Sequence, residues 1–120
     1  MKIEINQKNG IAYVQEKSLI ISNVQSALDL MATIWYEYHC SAIIIHKEAI
    51  IEDFFDLSSR LAGEIVQKYV NYGMKIAIIG DFSAYSSKAL KDYIYECNKG
   101  KDIFFVPNEE DAISRIVHSI

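Results

Sequence analysis

Residues 56–81 read DLSSRLAGEIVQKYVNYGMKIAIIGD and decide the fold class of this chain. Apolar residues recur at helical spacing over the first half, at Leu57, Leu61, Ile65 and Tyr69. Gly73 then offers the left-handed backbone that commonly follows a helix C-terminus. The unbroken apolar run within residues 75–80 is typical of a strand buried on both faces. A helix that leads into a buried strand predicts an α/β fold with a largely parallel sheet.

The N-terminal segment predicts a β-hairpin. Residues 2–7 and 11–16 alternate between polar and apolar side chains, as half-buried strands do. Asn9-Gly10 lies between them, and both residue types tolerate the positive φ angles of a two-residue hairpin turn. The sheet is therefore expected to begin with one antiparallel pair.

The rest of the chain alternates helices with strands. The predicted elements are a helix from Asn23 or Ser26 to Tyr38, a strand over 42–45, a helix over 88–98 capped by Ser86 or Ser87, a strand over 102–106, and a helix over 112–118 capped by Asn108. The predicted order is ββαβαβαβα. It corresponds to a small mixed, mostly parallel sheet of about five strands with helices packed on it. We expect one domain over residues 1–120.

Composition and charge exclude several function classes. The chain of 120 residues has a net charge of −4 and no basic stripe, so it lacks the electrostatic footprint of a nucleic-acid-binding protein. Its apolar runs are far shorter than the roughly 20 residues that span a bilayer, and no signal peptide is expected. We therefore expect a cytoplasmic protein without membrane partners, in which Cys40 and Cys97 are reduced thiols. No metal-ligand spacing or cofactor motif is present, and neither group is expected.

Ser58 and Ser59 are candidate phospho-acceptors. They lie in the first turn of the predicted helix, where free N–H groups and the positive dipole end favour a phosphate. Phosphorylation would add about −1.5 to −2 charges and could reshape a docking surface. The simpler explanation is that both serines only cap or solvate the start of the helix, because serine is favoured at such positions whatever a protein does.

The outer face of the same predicted helix carries the candidate partner-binding residues. These are Arg60, Glu64, Gln67, Lys68, Asn71 and Tyr72. Glu64 is spaced for i,i+4 ion pairs with Arg60 and Lys68, each worth a few tenths of a kcal/mol. Such a face is also explained as an ordinary solvated surface.

A ligand site at the strand ends is an alternative. Ligands of open α/β sheets bind outside the carboxyl ends of the strands, where His46, Asp81 and Ser83 fall. A Ser-His-Asp triad is recognised only by geometry, and the Gly-x-Ser-x-Gly motif is absent. The acidic residues that follow the first buried strand lack the calcium-loop pattern, so no metal site is expected. Without a recognisable catalytic set, the sequence favours a protein that is not an enzyme.

Tyrosine is abundant, with eight residues, several of them near predicted helix surfaces. Tyr is enriched at protein interfaces because it offers contact area at low entropic cost. The tyrosines are compatible with a homodimer, and equally with a monomer whose hydroxyl groups reach water.

Motifs spread over most of the chain carry a family resemblance. They include Phe54-Phe55-Asp56-Leu57, Leu61-Ala62-Gly63-Glu64, Gln67-Lys68, Asn71-Tyr72, Glu96-Cys97-Asn98-Lys99-Gly100 and Phe105-Val106. Together they resemble the bacterial family called domain of unknown function 4180. The resemblance implies no activity, because that family has none assigned.

The element order is also similar to that of STAS domains, found in anti-sigma factor antagonists and sulphate transporters. In that family a strand leads into an Asp-Ser-Ser-Gly-type turn, a helix and a second buried strand. A serine of the turn is phosphorylated by a partner kinase, and the modification abolishes binding. Ser58 or Ser59 falls where that serine would be, whereas Leu57 and Arg60 depart from the pattern of the turn. The resemblance implies a regulatory domain that contacts an unidentified protein partner and is switched by serine phosphorylation.

Overall fold

The computed structural model describes residues 2–120 and contains a mixed sheet of five strands with four α-helices in that range. The strands are β1 (Ile3–Asn6), β2 (Ile11–Val14), β3 (Ala42–His46), β4 (Lys75–Ile79) and β5 (Ile103–Val106). The helices are α1 (Val24–Tyr38), α2 (Leu61–Tyr72), α3 (Lys88–Lys99) and α4 (Glu109–His118). The predicted order ββαβαβαβα and the α/β class are confirmed. None of these four helices is long and apolar enough to cross a membrane.

The strands join the sheet in chain order, β1-β2-β3-β4-β5. The β1–β2 pair is antiparallel, and every following pair is parallel. The carboxyl ends of β2 to β5 therefore share one edge of the sheet, which we call the upper edge. Their amino ends share the lower edge. Because a helix connects the end of one parallel strand to the start of the next, α1, α2 and α3 each run from the upper to the lower edge.

Alternate strand residues divide the core into two layers. Ile43 and Ile45 of β3 are buried together with residues of α1, α2 and α3. Ile44, which points the other way, is buried with Ala112 and Ile116 of α4. Three helices therefore cover one face of the sheet, and α4 covers the opposite face.

Short-range capping contacts define the starts of α1, α3 and α4 and the end of α2, as predicted, whereas no side chain caps the start of α2. The side chain of Asn23 accepts a hydrogen bond from the N–H of Ser26, whose hydroxyl oxygen accepts one from the N–H of Asn23. Ser87 and Asn108 cap α3 and α4. Gly73, with φ 73°, ends α2 in the left-handed conformation.

The hairpin turn differs from the prediction. A four-residue loop, residues 7–10, joins β1 to β2 in place of a two-residue turn at Asn9-Gly10. Gly10 has φ 65°, but Asn9 is not among the residues with positive φ, and a type I′ turn needs both. The register shifts by two residues, because Asn6 and not Lys8 lies opposite Ile11, and a shift of two leaves each side chain on its expected face.

The start of α2 also differs from the prediction. Ser58 and Ser59 lie outside this helix, which begins at Leu61. Arg60 takes the left-handed conformation, with φ 65°, and this breaks the run of helical backbone. The residues before it, Leu57–Ser59, form a separate single turn of 3-10 helix.

Candidate functional site

The two candidate phospho-acceptors lie in the 3-10 turn Leu57–Ser59 at the upper edge, and both are exposed. The hydroxyl and the backbone N–H of Ser58 both donate to Oδ1 of Asp56, at 2.7 and 3.1 Å. The hydroxyl of Ser59 donates to the carbonyl oxygen of Asp53 at 2.6 Å and accepts from the N–H of Leu61 at 3.2 Å. Each hydroxyl thus stabilises the local turn.

A phosphate would disturb both arrangements. On Ser58 it would stand beside the carboxylate of Asp56, with like charges in contact. On Ser59 it would remove the hydroxyl proton that is donated to Asp53. Phosphorylation at either position is therefore expected to loosen the turn that leads into α2.

The candidate partner-binding residues run along α2, except Arg60, which precedes it. Within residues 2–120, Glu64 forms neither of its expected ion pairs, with Arg60 or with Lys68. Arg60 lies outside the helix, so the i,i+4 spacing does not apply to it. Gln67 instead donates to Oδ1 of Asn71 at 3.0 Å. The face is polar and exposed, and its distinctive residue is Tyr72 at the lower end.

Tyr72 borders an aromatic groove between α1 and the end of α2. Tyr72 is 70% exposed, Tyr36 is 74% exposed and Trp35 is 51% exposed. The groove has a volume of about 380 Å³. Its lining is Gln25, Leu28, Asp29, Met31, Ala32, Trp35, Tyr36, Tyr72 and Met74. Eight of these nine side chains carry no charge, which is the composition of an interface centre.

The exposure of Trp35 was not predicted. Its spacing in the sequence places it beside the buried stripe of α1, which includes Leu30, Met31 and Ile34. Trp35 follows Met31 by four positions, so it lies about 40° further around the helix than that buried residue, at the margin of the packed face. Periodicity alone does not distinguish a core residue from a marginal one. The signal available in the sequence was the pair of adjacent aromatics, Trp35-Tyr36.

The serine turn and the aromatic groove are separate places. They lie at opposite ends of α2, whose 12 residues span roughly 18 Å at 1.5 Å per residue. A phosphate on Ser58 or Ser59 would therefore not touch Tyr72. Any influence on the groove would have to pass along α2.

His46, the last residue of β3, is held by a tyrosine of the neighbouring strand. Its Nε2 lies 2.8 Å from the hydroxyl of Tyr13, and the two rings are tilted at a centroid distance of 5.6 Å. Partial burial lowers the pKa of His46, and the nearby charge of Lys17 adds to this. Partial burial also raises the pKa of Tyr13. The pair is thus neutral near pH 7, and the tautomer of His46 sets which of the two groups donates the hydrogen bond.

Asp81 and Ser83 form a local turn of their own after β4. Oδ1 of Asp81 accepts from the hydroxyl of Ser83 at 2.6 Å and from its N–H at 3.0 Å. These bonds hold the pKa of Asp81 below its usual range. No contact joins either residue to His46 among the described residues, so the three ligand candidates share the upper edge without forming one constellation.

A cluster that sequence reasoning missed, the Lys47 cluster, occupies the same edge. Nζ of Lys47 lies 2.9 Å from Oε1 of Glu52, and 5.4 and 5.1 Å from the ring centroids of Phe55 and Tyr85. The Tyr85 hydroxyl donates to the Glu52 carboxylate at 2.9 Å. Hydrogen bonding to Tyr85, and then to Glu52, raises the pKa of Lys47. Burial opposes ionisation of Glu52, but the bonds from Lys47 and Tyr85 hold its pKa below the usual range.

The Lys47 cluster packs over the end of β4. A Cβ added at Gly80 would lie 2.8 Å from Cβ of Lys47 and 3.2 Å from Cζ of Phe82. The ring of Phe82 also contacts Phe55 and Tyr85. These side chains fill part of the upper edge, and an open hollow of about 330 Å³ remains at the ends of β4 and β5, lined by Gly80, Asp81, Phe82, Phe105, Val106 and Pro107. Within residues 2–120, no three His, Cys, Asp or Glu side chains are grouped so that they could hold a metal ion.

Comparison with known proteins gives a family match. A family model described as "Domain of unknown function (DUF4180)" matches residues 6–116. No curated protein and no solved structure matches the chain. The family description names no activity, and function is therefore argued from the geometry above.

Proposed function

The chain belongs to the family described as domain of unknown function 4180, and on that premise we propose that it is a non-catalytic module acting by protein–protein contact. In this proposal residues 1–120 form one cytoplasmic, STAS-like regulatory domain. The aromatic groove is its docking surface. The polar face of α2, together with Arg60 before it, extends this surface from the groove toward the serine turn.

The observation that carries the proposal is the exposure of Trp35, Tyr36 and Tyr72 around one groove. Large aromatic side chains are costly to leave in water, and a contiguous apolar patch on a small protein commonly marks a contact site. The groove contains a single acidic residue, Asp29, and no basic one. Aromatic and Met side chains are enriched at the centres of protein interfaces, where a few residues supply most of the binding energy and a polar rim surrounds them.

A capture experiment tests the docking surface. Tagged protein and its double variant Tyr36→Ser, Tyr72→Ser are incubated with host lysate supplemented with the untagged chain. Tyr95→Ser is the matched control, because Tyr95 is 63% exposed but lies on α3, away from the groove. We expect the wild type and the control to retain the same protein from the lysate. The double variant should bind that protein roughly tenfold less tightly or weaker still. Equal retention by all three proteins, or retention of nothing, would contradict the proposal.

The second part of the proposal is a serine switch. Ser58 and Ser59 are exposed, and their hydroxyls hold the turn that leads into α2. Phosphorylation would break these bonds, and the loosened turn would change how α2 presents its outer face. The kinase that STAS-like regulation implies would be the enzyme responsible.

Two double variants test the switch, one that adds negative charge at the serines and one that only removes their hydroxyls. The variant Ser58→Asp, Ser59→Asp should weaken capture, whereas Ser58→Ala, Ser59→Ala controls for loss of the hydroxyls without added charge. Mass spectrometry of protein from the native host should find phosphate on the peptide that contains both serines. Native protein without phosphate, together with capture unchanged by the Asp variant, would remove the switch and leave the docking surface standing.

A ligand site at the upper edge is the second candidate function. The neutral Tyr13–His46 pair supports it, because a partly buried imidazole at a strand end can exchange a proton with a bound molecule. A thermal-shift screen with metabolites and nucleotides tests it. A ligand at a hundredfold excess over its dissociation constant adds about 2.7 kcal/mol of stability, and His46→Gln should abolish that gain. A screen without any shift that depends on His46 would count against this site.

A further inference from the structure

Helix α1 carries a second seam beside its buried stripe, exposed except at the half-buried Leu28. The residues Gln25, Leu28, Ala32, Trp35 and His39 are separated by three, four, three and four positions. This is the heptad spacing of helices that pack along one another. The first four of these residues line the aromatic groove, and His39 follows directly at the end of the helix. A helical partner therefore fits the seam better than an extended peptide does.

The seam combines projecting rings with a recess. Tyr36 and Trp35 project at one end of α1, and the groove beside Leu28 and Ala32 opens a volume of about 380 Å³. An apolar cavity of about 150 Å³ already holds a benzene ring, so the groove has room for an aromatic side chain. Ala32 lies midway between Leu28 and Tyr36, and it is exposed. A small side chain at that point lets a second helix approach closely.

From this geometry we propose that the groove is filled by a second copy of the chain, with the two α1 helices packed antiparallel about a two-fold axis at Ala32. The inference rests on the proposed function, because it names the partner of the same groove. A two-fold contact is self-complementary, so each projecting ring meets the recess of the other copy. In this register Leu28 lies beside Tyr36 of the second copy, and Asp29 lies beside Trp35 of the second copy.

The register also pairs the polar groups of the seam. Asp29 is the one charged residue of the groove, and its carboxylate accepts a bond from Gln25 with acceptor capacity to spare. No hydrogen bond engages the indole N–H of Trp35 within residues 2–120, where the side chain is half exposed. The dimer brings this donor to the carboxylate of the other copy. No pair of like charges meets at the seam.

The exposed aromatic area is large enough to form a substantial part of a dimer interface. Aromatic side chains bury roughly 150–250 Å² each, so the exposed fractions of Trp35, Tyr36 and Tyr72 leave about 400 Å² in water per chain. A standard interface buries about 800 Å² per partner. The three rings would supply about half of that, and the rest of α1 and the end of α2 would supply the remainder.

Sedimentation equilibrium on matched charge variants tests the dimer. Ala32→Glu puts four carboxylates, counting both copies of Asp29, around the axis. Ala89→Glu is the control, since Ala89 is exposed on α3. We expect the wild type and Ala89→Glu to be dimers and Ala32→Glu to dissociate at least roughly a hundredfold more readily. Circular dichroism must show all three folded; if Ala32→Glu is not, Tyr36→Ser takes its place. A monomeric wild type at 100 µM, or a dimer that survives the substitution at α1, overturns the inference.

Trp35, the sole tryptophan, gives an independent readout. Diluting the wild type through its dissociation range should move the Trp35 emission to longer wavelength and increase quenching by acrylamide. Folded Ala32→Glu should show the long-wavelength emission at every concentration. A wild-type dimer whose Trp35 emission is independent of dilution would place the contact elsewhere and overturn the inference. The capture experiment detects any protein that binds in the groove. Binding of another protein without any binding of a second copy would refute this inference and leave the proposed function intact.

Discussion

The side-chain amide of Asn98 hydrogen-bonds both peptide groups of Phe105. Its Nδ2 donates to the carbonyl oxygen at 3.1 Å, and its Oδ1 accepts from the N–H at 2.8 Å. Asp102 and Val106 bond across to β4, so Phe105 between them directs its N–H and C=O to the free edge of β5. The amide therefore takes the place that a sixth strand would occupy, and it blocks edge-to-edge association there.

Asn98→Ala should open this edge. Two peptide groups of a buried strand lose their partner, and we expect the free energy of unfolding to fall by roughly 1–3 kcal/mol. The exposed edge should also promote association through β5, visible as increased light scattering after mild heating. Urea denaturation and light scattering are the measurements. Asn71→Ala is the control, because Asn71 is exposed and, among residues 2–120, its side chain bonds only to Gln67. A similar loss in both variants would refute the role assigned to Asn98.

Tyr69 ties α2 to α1 through one buried hydrogen bond. Its hydroxyl donates to the carbonyl oxygen of Ala27 at 2.7 Å, and the side chain is 1% exposed. Tyr69→Phe should lower the free energy of unfolding by about 0.5–1.5 kcal/mol, measured by urea denaturation. Tyr72→Phe, which changes an exposed hydroxyl, should be neutral.

The same hydroxyl should be visible in an alkaline titration. Burial raises the pKa of Tyr69, so its phenol should not ionise with the exposed tyrosines. Burial raises the pKa of Tyr93 as well, so titration followed by ultraviolet absorbance should show at least two phenolates fewer in the early phase than the eight tyrosines allow. Tyr69→Phe should not change that early phase. A reduced early phase in the variant would mean that Tyr69 is accessible.

Gly80→Ala and Gly63→Ala should have opposite effects on stability. At Gly80 the new Cβ would lie 2.8 Å from Cβ of Lys47, and we expect a loss of about 1–3 kcal/mol. At Gly63, within α2, nothing lies within 4 Å of the new Cβ, and removing glycine from a helix should add about 0.5–1 kcal/mol. Thermal and urea unfolding of both variants tests the pair. Equal effects at the two sites would refute the packing of Lys47 over β4.

Stability should fall on mild acidification through His46. Burial, and then Lys17, lowers the pKa of the folded imidazole, whereas the unfolded chain has a value near 6.5. The unfolded chain therefore binds the proton more readily, so stability is complete above about pH 6.5 and declines as the pH drops toward the folded pKa. Glu48 and Glu109 act in the opposite direction and limit the effect. Protonation would also leave Nε2 able to act only as a donor, with the hydroxyl oxygen of Tyr13 as its acceptor.

The measurement is urea denaturation at pH 7.5 and pH 5.0. His46→Gln keeps an acceptor for Tyr13 without titrating, so its loss of stability between the two pH values should be smaller than that of the wild type. His39→Gln, at an exposed helix end, should behave as the wild type does. A wild type with the same pH dependence as His46→Gln would exclude this imidazole as the titrating group.

Features that depend on neighbours in the chain could be predicted from the sequence. The cap at Asn23 reaches three residues ahead, and Gly73 ends α2 because of its own backbone freedom. The buried strands β3 and β4 are unbroken apolar runs, which also fixed their parallel pairing across a helix. The same local logic failed at Arg60, because a left-handed arginine carries no sequence signal.

Only the tertiary structure decided what those elements do to each other. The amide of Asn98 meets Phe105, the hydroxyl of Tyr69 meets Ala27 at a separation of 42 residues, and Lys47 closes over Gly80. It also decided that Trp35 stays half exposed beside the buried stripe of α1. The physical reason is that a helix or a cap is stabilised by contacts within a few residues, whereas burial, groove shape and edge closure depend on which distant surfaces pack together.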